Sequence, residues 1–135
     1  SMGVVRAALI DKGVVDNVIL IDSENNTFIP PDGQQLVVID RPVNIGDFYD
    51  GSRFFKRIRL QDEKLNDTTV ITATVDEDTP DSTVIFSVDE VQIAEIPIEQ
   101  GKAVIELLFE LPGTYMVKAE SEHHGFATLE VVVEC

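Results

Sequence analysis

Residues 104–120 read Val104-Ile105-Glu106-Leu107-Leu108-Phe109-Glu110-Leu111-Pro112-Gly113-Thr114-Tyr115-Met116-Val117-Lys118-Ala119-Glu120. On an extended chain Ile105, Leu107, Phe109 and Leu111 fall on one side, with Glu106 and Glu110 on the other. Pro112-Gly113 then turns the chain. Past the turn, Tyr115, Val117 and Ala119 point inward while Met116, Lys118 and Glu120 point outward. The same period continues with Leu129, Val131 and Val133 inside and Thr128, Glu130 and Glu134 outside. Upstream, Val84, Phe86 and Val88 share one face. Residues 91–98 form a further run, which Pro97 marks as an edge. Val70, Thr72 and Thr74 alternate with Ile71, Ala73 and Val75. Period-two patterning with turns every roughly 8–12 residues is the sign of an antiparallel sandwich, its glutamates on the wet side of each pleat.

The 135-residue chain carries a formal net charge of −15, distributed unevenly. Residues 1–66 hold ten acids and eight bases, whereas residues 67–135 hold fifteen acids and only Lys102 and Lys118. This break at a polar stretch predicts two modules. One is a small antiparallel β-hairpin module over 3–60. The other is an antiparallel β-sandwich over 67–135. Residues 59–67 are expected as a linker, with room for a short helical turn.

In the first module, residues 4–10 and 14–21 are apolar runs joined by Asp11-Lys12-Gly13, a hairpin signal. Pro30-Pro31-Asp32-Gly33 is extended and then turns. Residues 35–39 read as a third strand, and 48–55 as a second hairpin with Asp50-Gly51 at its apex. Two modules of this size sit near the lower limit for independent folding, so packing together or homo-oligomerisation is expected.

Composition excludes several function classes. A nucleic-acid partner would need a basic stripe, and the only basic cluster is Arg53, Lys56, Arg57 and Arg59. An acidic membrane surface is disfavoured for the same reason. No apolar run reaches the length of a transmembrane helix, and the first residues lack the pattern of a signal peptide. The one cysteine, Cys135, allows no internal disulfide.

Two resemblances add to this reading. Gly101-Lys102-Ala103, the run from Leu111-Pro112-Gly113 to Ala119, and the final strand over 127–134 resemble a bacterial- or phage-type immunoglobulin-like domain. In such domains a tyrosine after a Pro-Gly turn packs at the sheet corner and bonds backbone; Tyr115 matches it. The cysteine pair and core tryptophan of antibody domains are missing. The stretches from Ala8 to Leu20 and from Val43 to Phe54, with Pro30–Gly33 between them, resemble an N-terminal segment of tailed-bacteriophage structural proteins, tail-fibre and tail-associated ones above all. That resemblance implies a virion location, other phage structural proteins as partners and no catalytic residues. The turn residues it singles out are Gly46, Tyr49, Asp50 and Gly51, with Tyr49 and Phe54 able to meet across the strands. A second reading is a bacterial surface module binding a host receptor or glycan, with Phe28, Phe48 and Tyr49 as stacking candidates.

Candidate chemistry is sparse. His123 and His124 are adjacent, point apart on a strand, and have no third ligand at metal spacing, which predicts a loop role. Residues 76–81, Asp-Glu-Asp-Thr-Pro-Asp, could hold calcium weakly but lack the EF-hand glycine and terminal glutamate; a solvated acidic turn is expected. Asp47, Asp50 and Ser52 fit turn chemistry better than a carboxylate pair in a cleft. Cys135 has no neighbour that would activate it. No catalytic, cofactor-binding or metal-binding residue is expected.

Overall fold

The structure is a computed structural model that describes residues 3–25 and 27–134. The described residues form twelve strands and no helix. The chain divides into two compact units, Ser1–Lys56 and Arg57–Cys135.

The first unit is one antiparallel sheet of β1 (Val4–Asp11), β2 (Val14–Asp22), β3 (Gln34–Ile39), β4 (Phe48–Tyr49) and β5 (Phe54–Phe55), in the order β3-β1-β2-β4-β5. Lys12 and Gly13 both have positive φ, 51° and 83°, the two-residue turn whose twist matches its strands. Gly13 is needed for space as well, because a Cβ there would come within 2.5 Å of the Phe48 ring. The β1–β2 register slips between Leu9 and Ile10, leaving Asp16 as an extra residue. The core of this unit is Ala8, Ile10, Val15, Ile39 and Val43, with Tyr49 and Phe54 against it.

The second unit has seven strands: β6 (Arg59–Leu65), β7 (Thr68–Thr74), β8 (Thr83–Val88), β9 (Val91–Pro97), β10 (Lys102–Leu107), β11 (Gly113–Ser121) and β12 (Gly125–Val133). They make a three-stranded sheet, β10-β7-β6, and a four-stranded sheet, β12-β11-β8-β9. Ile71, Ala73 and Ile105 from the first sheet meet Val84, Phe86, Val117, Ala119 and Val131 from the second in one core. Two sheets facing across shared inward residues form a β-sandwich, and the order of its strands is that of an immunoglobulin-like topology with the fourth strand beside the third. Phe86, fully buried, is the largest side chain at its centre.

Two expectations need correction. Residues 59–67 are not a linker. Residues 59–65 are β6, paired along its whole length with β7, so the boundary lies at Lys56/Arg57 and not between 60 and 67. The strand is polar because it is an edge: Leu60 packs on the core while Gln61, Glu63 and most of the rest face water. It supplies a strand that residues 67–135 alone lack. Leu111 does not point inward either. β10 ends at Leu107, and Leu111 is 71% exposed on the way to β11.

The β6–β7 pairing makes a direct prediction. A fragment of residues 57–135 should fold cooperatively with a dispersed amide spectrum. A fragment of residues 67–135, lacking β6, should be largely unfolded in the same spectrum. Equal folding of the two would show that β6 is dispensable.

Candidate functional site

The turn residues expected from the sequence occupy two separate places. In the first unit, Gly46 has φ +96° and donates its N–H to Val15 O at 2.8 Å. Asp47 Oδ2 accepts from Asn44 N at 2.9 Å, closing the loop before β4. At the β4–β5 hairpin, Asp50 Oδ1 accepts from Ser52 N at 2.8 Å and Arg53 N at 2.7 Å, while Gly51 takes φ +101°. An Asx turn of this kind satisfies backbone donors that the tight bend leaves over. Tyr49 lies against Phe54, ring centroids 4.6 Å apart, and its hydroxyl donates to Gly51 O at 3.0 Å. Both polar and apolar parts of Tyr49 are thus engaged in the hairpin, and Phe48 is half-buried beside it. Of the three aromatics considered for glycan stacking, Phe28 is the most exposed, at 41%.

In the second unit, the Tyr115 hydroxyl donates to Leu111 O at 2.7 Å and its ring stacks on Phe109 at 4.3 Å. The tyrosine thereby straps the 108–112 connection onto β11. Its partner is backbone, as the resemblance of this segment implies.

The histidines play a part that the sequence does not reveal. Ser121 pairs with Gly125 across a three-residue turn, with Gly125 at φ +70°. This turn places His124 fully inside the unit, with Nε2 2.6 Å from Thr79 Oγ1. The His124 carbonyl accepts from Ile58 N at 3.0 Å, just before β6. His123 faces Asp81: its backbone N–H donates to Asp81 Oδ2 at 2.8 Å, and its Nδ1 bonds Asp81 Oδ1. The Asp81 side chain is only 4% exposed. The 76–82 connection is therefore not simply a solvated acidic turn. Its second half is bolted to the β11–β12 turn through Thr79 and Asp81. The Asp76, Glu77 and Asp78 carboxylates do not join Asp81 in a shared cluster; among the described residues, three potential metal-ligating side chains converge at Asp81, Glu122 and His123. The available signal was a His-His pair in a short turn, which predicts neither burial nor the distant partner.

Surface depressions of about 530 and 510 Å³ lie on the second unit, one over Leu60–Glu63, Val70, Thr72 and Leu129, the other along 64–69 and 108–110. Their titratable groups are carboxylates and Lys64, without a histidine or thiol as base or nucleophile. Among the described residues no helix is long and apolar enough to cross a membrane. No protein-family model, curated protein or solved structure matches this chain.

Burial pushes the Asp81 carboxyl up, but the hydrogen bonds from the His123 side chain and backbone outweigh it, so Asp81 titrates below its ordinary 3.8. Folding thus favours the ionised form. Its stabilisation is complete well above pH 3.8 and is lost as pH falls through the depressed value. In urea unfolding at neutral pH, with a chelator present, Asp81→Asn should cost about 1–3 kcal/mol. The gap from wild type should narrow below pH 3.8. A gap that stays constant on acidification would contradict the assignment.

Proposed function

We propose that this chain is a non-enzymatic structural protein of a bacteriophage virion, tail- or fibre-associated or decorating the capsid, and that it works by assembly and surface presentation. The observation that carries the reading is the pair of hairpin motifs in the first unit, in the order of phage structural segments, with Gly13, Gly46 and Gly51 all at the positive φ their turns need. Exposed apolar residues of the same unit, Val4, Leu20, Ile29, Val38 and Ile45, give it material for docking to other structural proteins or to copies of itself. The second unit contributes a rigid sandwich whose outward glutamates keep copies soluble at high local density. Binding of a host-surface glycan is the second reading. The exposed Phe28 favours it.

Mass spectrometry of purified phage particles from the strain that encodes the chain should detect its peptides at a fixed ratio to a major structural protein. Light scattering of the isolated protein should give a homo-oligomer. Absence from the particles would refute the virion reading, and a monomer that binds a defined glycan on an array would favour the second.

A further inference from the structure

We propose that Asp81, Glu122 and His123 form a site for one divalent metal ion of the zinc, cobalt or nickel class, which staples the 76–82 connection to the β11–β12 turn. One ligand atom from each of the three side chains lies within 4.8 Å of the others. Ligands held at about 2.0–2.2 Å from a tetrahedral ion are themselves about 3.3 Å apart, so small rotamer changes bring the set into range.

The chemistry of the donors selects the ion. Two carboxylates and one imidazole make a mixed oxygen and nitrogen set, suited to a borderline cation. Calcium would want six or more oxygens. Two carboxylate charges also cancel those of a dication, so the centre would be close to neutral. Asp81 is preset for the task. Its side chain is more than nine-tenths buried, and Oδ2 is fixed by the His123 backbone N–H at 2.8 Å, which leaves Oδ1 facing the ring nitrogen. The metal would take the place of the proton between Asp81 Oδ1 and His123 Nδ1: a neutral imidazole then carries its one proton on Nε2, and an imidazolium releases one proton to solvent. Glu122 is exposed at the turn and closes the site from the water side, where a water can complete the coordination. The hydrogen-bonded tie between Asp81 and His123 has no use for Glu122. The glutamate therefore separates a metal site from a purely structural contact. The proposal is independent of the virion reading.

The test uses the full chain, free of any polyhistidine tag and stripped with a chelator. Calorimetric titration with zinc chloride should give one ion per chain, and cobalt(II) should show the visible absorption of a low-coordinate site. Glu122→Gln should weaken zinc binding by about tenfold or more while leaving the metal-free unfolding midpoint unchanged. Glu120→Gln should leave zinc binding as in wild type, since Glu120 pairs with Lys118 at 3.2 Å and stands outside the cluster. Failure of the wild-type chain to bind zinc would overturn the proposal. So would a Glu122→Gln variant that binds as tightly as wild type, or a Glu120→Gln variant weakened to the same degree.

Discussion

The pairing of β6 with β7 is the interaction on which the second unit depends. Without it the inward face of β7, carrying Thr69, Ile71 and Ala73, would have strand β10 on one side and an open edge on the other. β6 also seals the seam to the opposite sheet. Lys64 Nζ donates to Val132 O at 2.5 Å, and Arg57 Nε, just before the strand, donates to Phe126 O at 2.7 Å. Long cationic side chains that bond backbone carbonyls of β12 use donors that water would otherwise take, and they cover a sheet margin that could pair with another chain.

A second tie acts at the end of the sandwich. The β11–β12 turn delivers two histidines to the 76–82 connection. One enters the core to meet Thr79, and the other meets a buried carboxylate. A polar network inside a small β unit costs stability unless each member finds a partner. Here Thr79 and Asp81 stand on one connection and His123 and His124 on the other, so satisfying the network holds the two connections together. The interior between the sheets is filled by Phe86, Ile71 and Val117, so this network lies at the end of the sandwich rather than between its sheets.

Much of the fold was legible because side-chain alternation is strict where a strand has one wet face. β7, β10 and β11 alternate as their sequences read, and β9 is the edge that Pro97 announces. Glycine-bearing turns at Gly13 and Gly51 were equally plain. β6 was not, because an edge strand packing mainly Leu60 on the core has the composition of a linker. The Asp89-Glu90 turn gave no signal for a different reason. Both residues take positive φ, 47° and 69°, without a glycine, and Asp89 is held there by bonds to Met116 N and O. The Asp50-Gly51 hairpin apex was readable from local sequence, whereas the roles of Tyr49 and Tyr115 were expected from the family resemblances of their segments. The Asp81–His123 and Thr79–His124 contacts join residues more than forty positions apart, and nothing local encodes them.

Amide hydrogen exchange across residues 59–65 in the full chain tests the central claim most directly. If this polar segment is the seventh strand of the sandwich, its ladder amides should exchange orders of magnitude more slowly than free peptide, together with those of β7. Exchange at the rate of an unstructured chain would return the segment to the status of a tether and leave the sandwich open along β7.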